Sequence, residues 1–134
     1  MSKKANKEEI KKMTLNDYIA KAKQKEKSVK EFKNIILNNL DGEIVIKKLD
    51  DGKILDLMDE MKEDASMREN IGVFKEVVYE SVPMLKKKEL VENFELTEPI
   101  DIVTKIFEIG EIIKISEKIL DLYGLGDLKD DIKN

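Results

Sequence analysis

The chain has 134 residues, of which 40% are charged and 5% aromatic, and its formal net charge is −4. It contains neither histidine nor cysteine, which excludes disulfides, thiolate chemistry and the commonest zinc ligands. A chain of this length forms one domain, and its core must be built from Ile, Leu, Val and Met. Neither an apolar run of membrane-spanning length nor a secretory signal is present in this sequence, so we expect a cytoplasmic protein.

The charge is distributed unevenly along the chain. Residues 1–33 hold 11 lysines against 5 acidic residues, whereas the remainder holds 14 basic and 24 acidic residues. Arg68 is the only arginine, although nucleic-acid-binding proteins use arginine for bidentate contacts and aromatic residues for stacking. The pattern is typical of a solvated Lys/Glu surface, and we expect no nucleic-acid partner.

The N-terminal third begins with a flexible Lys-rich tail over 1–12, in which Ile10 is the one large apolar residue after Met1. A capping-box pattern at Thr14 and Asp17 predicts a first helix that extends to about Lys27. Its apolar stripe, spaced i, i+3, i+4 and i+7, consists of Leu15, Tyr18, Ile19 and Ala22.

A β-hairpin is predicted over about 33–48, because Asp41-Gly42 lies between two short apolar stretches. A two-residue turn at this dipeptide would place Leu37 opposite Ile46. Residues 29–40 also fit a helix. The hairpin face expected to lie on the helices carries Ile35, Leu37, Ile44 and Ile46.

Two further helices follow in the central part of the chain. Residues 50–52 open the first of them, and Ser66-Met-Arg-Glu69 caps the second, which ends near Ser81 because Pro83 follows. Pro83 then begins a short helix. The residues expected to be buried on the two helices are Ile54, Leu57, Met58, Met61, Ile71, Phe74, Val77, Val78 and Val82.

The stretch of about 99–123 is predicted to be one long helix central to the core. Gly110 within it indicates close packing or a bend, and Gly124 indicates a C-cap. Residues 127–134 are predicted to be a flexible polar tail. One apolar line consists of Ile102, Ile106, Ile109, Ile113, Leu120 and Tyr123, and the second consists of Ile112, Ile115, Ile119 and Leu122. The predicted fold class is α+β, mainly α, with about five helices and one small hairpin in a single domain over 13–126.

Candidates for chemistry are few. The carboxylates on and just after the second helix do not match the Glu-x-x-His pairs of di-metal bundles, so they predict an acidic solvent face. We therefore predict no catalytic, cofactor-binding or metal-binding residue and no enzyme. Four methionines fit either core packing or an adaptable binding surface: Met58, Met61, Met67 and Met84.

Seven segments in order resemble one family over about residues 13–126. They are Thr14-Leu-Asn-Asp-Tyr-Ile-Ala20, the Lys-rich run to Phe32, the Asp41-Gly42 hairpin, Lys53-Ile-Leu-Asp-Leu-Met-Asp59, Tyr79-Glu-Ser-Val-Pro-Met-Leu85, Glu98-Pro-Ile-Asp-Ile-Val103 and Leu122-Tyr-Gly-Leu125. Together they resemble the XkdN-like tail assembly chaperones of phages, prophages and phage-tail-like bacteriocins with long contractile tails.

This resemblance implies a protein that takes part in assembly and is absent from the finished tail. Such a chaperone would bind the tape measure protein in the cytoplasm of the bacterial host and promote assembly of the tail tube protein around it. It would also associate with itself or with a longer form made by ribosomal frameshifting. Tyr123 and Leu125 are candidate partner-binding residues, and packing at a helix end is the alternative interpretation of both.

Three other classes of protein remain open. The main one is a host-encoded, non-enzymatic helical adaptor, which the neighbouring genes would distinguish from a phage chaperone. A lysine-dependent nucleic-acid binder and an enzyme are less well supported, the first because the net charge is negative. We also expect head-to-tail association between the basic N-terminal segment and the acidic surface of the next copy.

Overall fold

The computed structural model describes residues 10–36, 42–61 and 64–125. These residues form six α-helices, two 3₁₀ turns and one antiparallel hairpin, which confirms the predicted class of α+β, mainly α. The predicted tail over 127–134, and all but three residues of the tail over 1–12, lie outside the described residues. In chain order the elements are α1 Leu15–Lys30, β1 Phe32–Ile36, β2 Glu43–Lys47, α2 Asp51–Asp59, α3 Met67–Ser81, the turn Pro83–Lys86, α4 Lys88–Val91, the turn Pro99–Asp101, α5 Ile102–Ile106 and α6 Ile109–Asp121.

Local capping sets the starts of the helices as predicted. The N–H of Thr14 donates to the Asp17 carboxylate (2.9 Å) and the N–H of Asp17 donates to the Thr14 hydroxyl (3.2 Å), so the capping box of α1 is complete. Ser66 and Glu69 form the corresponding box of α3. Helix α3 ends at Ser81, as expected from the proline two residues later.

The core lies where α3 packs against α6, with α2, α5 and the hairpin around this pair. Both α2 and α3 bury their predicted residues, although Ile71 is only half-buried. Sequence reasoning did not include Val73, which is also buried. The apolar side chains without solvent exposure are Ile46, Val77, Val78, Ile102, Val103, Ile112, Ile115, Ile119 and Leu120.

The prediction of one continuous helix over 99–123 is wrong. Phe107 and Glu108 adopt extended backbone conformations between α5 and α6. The N–H of Glu108 donates to the Glu111 carboxylate (2.9 Å), so a new helix begins there.

This break changes which isoleucines are buried. Ile106 and Ile109 flank the break and are exposed, Ile109 by 58%. The first line is buried only at Ile102 and Leu120, away from the break. In the second line Ile112, Ile115 and Ile119 are fully buried, whereas Leu122 is 37% exposed. Gly110 lies just after the bend, and an added Cβ would meet nothing within 4 Å, so the alternative of close packing is wrong.

The hairpin forms with a different register from the one predicted. Ile35 pairs with Ile44, and Ile46 lies opposite Lys33 instead of Leu37. The connection therefore spans residues 37–42, of which 37–41 lie outside the described residues. A shift of four residues is even, so it preserves the facing of every side chain, and Ile35 and Ile46 are buried as expected. The described part of 29–40 is helix to Lys30 and strand from Phe32.

Two glycines have opposite roles, which a stability measurement can separate. Gly72 lies inside α3 with free space at its Cβ position, so Gly72→Ala should raise the free energy of unfolding by about 0.5–1 kcal/mol. Gly124 ends α6 with a φ of 74°, as the predicted C-cap requires. Gly124→Ala should therefore lower the free energy of unfolding by roughly 1–2 kcal/mol, because alanine is disfavoured at a positive φ. Urea unfolding measures both, and equal signs would contradict this assignment.

Candidate protein-binding surfaces

Helix α1 presents an uncovered apolar face to solvent. Every described side chain from Ile10 to Lys27 is exposed. Leu15 is 75% and Tyr18 60% exposed, and Ile19 lies beside them on the same face. A 16-residue helix is marginal alone in water, and stability normally comes from packing of its apolar face. Helix α1 thus carries the apolar stripe that is typical of a packed helix, but this stripe is exposed to solvent.

One exposed ion pair joins α1 to α2 and adds little stability. Lys25 donates to Asp51 at 2.6 Å and lowers the pKa of that carboxyl, first through the hydrogen bond and then through its charge. Both side chains are more than half exposed, and such pairs contribute little because water and salt screen them.

An open cleft of about 650 Å³ separates α1 from the body. We call it the α1 cleft. Lysine ammonium groups on both sides outnumber the single carboxylate, so the cleft favours an acidic partner segment. It is lined by Tyr18, Lys21, Ala22, Gln24, Lys25, Ser28, Lys48, Asp51 and Tyr123.

Tyr123 borders this cleft but also has internal contacts. The Leu49 N–H donates to its hydroxyl (2.5 Å), which fastens the connection between β2 and α2 to the end of α6. The Lys48 ammonium lies 5.1 Å from the centre of its ring. Partial burial raises the pKa of the phenol, and the Leu49 hydrogen bond opposes that rise. Only the part of the Tyr123 ring that these internal contacts leave exposed is available to a partner.

Leu125 has a structural role beside it. Its N–H donates to the Leu120 carbonyl (3.1 Å) while the Gly124 N–H donates to the Asp121 carbonyl (3.1 Å), which together form a Schellman motif. The Leu125 side chain is half-buried against the core and does not line the α1 cleft. A partner contact at Tyr123 or Leu125 stays a prediction.

A second surface, which sequence reasoning missed, lies beside the hairpin. This hairpin groove has a volume of about 620 Å³ and opens to solvent. The sequence does contain an indication of this groove. Side chains alternate between the two faces of β2, so Val45 faces away from its buried neighbour Ile46, and it is 47% exposed. Met58 and Met61 are buried, as the core-packing interpretation predicts, whereas Met84 is 57% exposed here. The groove is lined by Phe32, Glu43, Ile44, Val45, Val82, Pro83, Met84, Leu85, Lys87, Leu90, Ile106 and Phe107.

The acidic side chains of α2 do not assemble a metal site in the described part of the chain, where no three potential ligands converge. Glu76 on α3 lies near Glu60, which follows α2. Desolvation raises the pKa of Glu76, and the like charge of Glu60 raises it further. The two carboxylates therefore repel each other when both are ionised.

Comparison with known proteins adds no relative. No protein-family model, no curated protein and no solved structure matches this chain. None of the helices described combines the length and the apolar character needed to cross a membrane.

Tyr123→Phe tests the internal role of this residue. The variant should lower the free energy of unfolding by about 1 kcal/mol, because the half-buried Leu49 N–H loses its acceptor. Tyr18→Phe is the matched control, since Tyr18 is exposed and should tolerate the change without effect. Urea unfolding of both variants measures the difference, and equal stabilities would contradict the hydrogen bond.

Glu76→Gln tests the carboxylate repulsion. A carboxyl whose pKa is higher folded than unfolded destabilises the fold as pH rises through that interval. The variant should therefore be more stable than the unchanged protein at pH 7, and this advantage should vanish below the ordinary value of 4.5. Thermal unfolding from pH 4 to 8 measures it, with Glu95→Gln at an exposed loop position as control. A difference independent of pH would refute the assignment.

Proposed function

We propose that this protein is a non-enzymatic tail assembly chaperone of a contractile-tailed phage, prophage or phage-tail-like bacteriocin. It binds the tape measure protein in the cytoplasm of the bacterial host and promotes assembly of the tail tube protein around it. It is not retained in the mature tail. The observation that carries the proposal is the uncovered apolar face of α1.

The chemistry of α1 suits a long helical partner. An amphipathic helix of the tape measure protein would place its apolar residues on Leu15, Tyr18 and Ile19, in the way that helices pair through i, i+3 and i+4 positions. Helix α1 carries five lysines against two acidic residues, which favours partner segments with acidic residues beside their apolar stripe.

The size of this face also fits the role. A contact through a few side chains is modest in affinity, but a long filament repeats it, and many copies would then cover the apolar stripe of one tape measure protein. Covering that stripe prevents its aggregation before the tube forms. The absence of histidine and cysteine from the sequence is consistent with a binding role.

The proposal is tested by co-expression with the tape measure protein encoded beside the gene for this chain. We expect the tape measure protein to stay soluble and to co-purify with the unchanged chaperone. Leu15→Glu combined with Ile19→Glu should abolish co-purification, because both changes place a charge in the apolar contact. Neither should change the fold, since both side chains are exposed.

Leu55→Glu is the matched control, because Leu55 is also an exposed leucine on a helix. It should co-purify like the unchanged chain. Loss of binding in the control, or full binding by the α1 variant, would contradict the role of α1. A gene neighbourhood without tail tube and tape measure genes would favour a host adaptor that uses the same face for another helix.

A further inference from the structure

Strand β2 is paired on one edge only. The sheet has two strands, so the edge of β2 away from β1 has no strand partner among the described residues. No hydrogen bond joins the backbone of that edge to another described element. Free edges of this kind are templates for pairing with a further strand.

The sequence of β2 is complementary to itself. It reads Glu43-Ile-Val-Ile-Lys47, with an acid at one end and a base at the other. Pairing of two antiparallel copies about a two-fold axis at Val45 places Glu43 of each copy opposite Lys47 of the other. The same register sets Val45 against Val45 and Ile44 against Ile46.

The facing of the side chains makes this register chemically consistent. Glu43, Val45 and Lys47 point to the outward side of the hairpin and are exposed. Direct cross-strand neighbours have Cβ atoms about 4.5–5.5 Å apart, which allows an ion pair at each end and an apolar contact in the middle. Glu43 already accepts a hydrogen bond from Asn34 (2.7 Å), and a carboxylate has room for a second donor.

The hairpin groove provides space for the added strand. It is bordered by β2 and by the turn Pro83–Lys86, and its walls are mostly apolar. Ile44 is half-buried and Met84 largely exposed in the protomer. A strand seated against β2 would remove both from water.

We propose that β2 is the self-association interface of this protein and that its occupant is β2 of a second copy. The product is a two-fold dimer with a continuous four-stranded antiparallel sheet in the order β1-β2-β2-β1. This interface is isologous and lies apart from α1, so it does not depend on the tape measure proposal.

Charge complementarity selects a second copy over other occupants. Exposed charges on an edge strand normally prevent pairing. Here the two-fold register converts each of them into an attraction, because a second copy in antiparallel orientation presents an acid and a base four residues apart in the matching order. An unrelated apolar strand or helix in the groove would leave Glu43 and Lys47 without their cross-strand partners.

Cross-linking tests the register directly, because the chain has no native cysteine. Val45→Cys should give a covalent dimer with a short bismaleimide. Asn34→Cys, on the same face of β1, should not, since in the dimer its copies lie three strand spacings apart, about 14 Å. Leu15→Cys should also remain monomeric on a denaturing gel.

Charge exchange tests the chemistry. Glu43→Lys and Lys47→Glu each place like charges at both ends of the pair and should weaken the dimer about tenfold in analytical ultracentrifugation. The double variant should recover affinity to within about twofold of the unchanged chain. A mixture of the two single variants should form a heterodimer, a rescue that misfolding cannot produce.

Four outcomes would overturn the proposal. They are a monomer over the whole accessible concentration range, cross-linking of Leu15→Cys in place of Val45→Cys, dimerisation of the single charge variants at unchanged affinity, and failure of the mixture to associate. Protection of Val45→Cys from the reagent only when the tape measure protein is added would assign the groove to that partner instead.

Discussion

The packing of α3 against α6 is the contact on which the rest of the structure depends. With 5% aromatic residues, the core relies on close contact between branched aliphatic side chains, which tolerate little void space. Ser116 shows how close the two helices approach, because its buried hydroxyl donates to the Phe74 carbonyl (3.0 Å). The hairpin covers one side of this pair through Ile35 and Ile46, and α1 has almost no share in it.

Much of this arrangement follows from local chemistry in the sequence. The capping boxes at Thr14 and Ser66 determine where helices begin, because they involve only residues three positions apart. The hairpin register was wrong, yet the facing of its isoleucines was right, since period two survives an even shift. The break at Phe107 was missed because apolar periodicity continues through it and conceals a change of helix axis.

The surfaces were harder to predict than the core. An apolar stripe indicates that a helix face packs against another element, but it does not say whether that element belongs to the same chain or to a partner. The stripe of α1 and that of α2 look alike in sequence, and only the structure separates the exposed Leu15 from the buried Leu57. In the same way, the alternating pattern of β2 places Val45 on the face opposite Ile46, but it does not say that β2 lies at a sheet edge.

The two surfaces have different proposed roles: α1 binds a helical partner, and β2 binds a second copy of the chain. The central claim is that the apolar face of α1 stays exposed in the isolated protomer, and amide hydrogen exchange measures this most directly. We predict that the α1 amides exchange far faster than those of α3 and α6 in dilute protein, and that they become protected when the tape measure protein is added. Protection of α1 equal to that of the core helices in dilute protein would contradict the account.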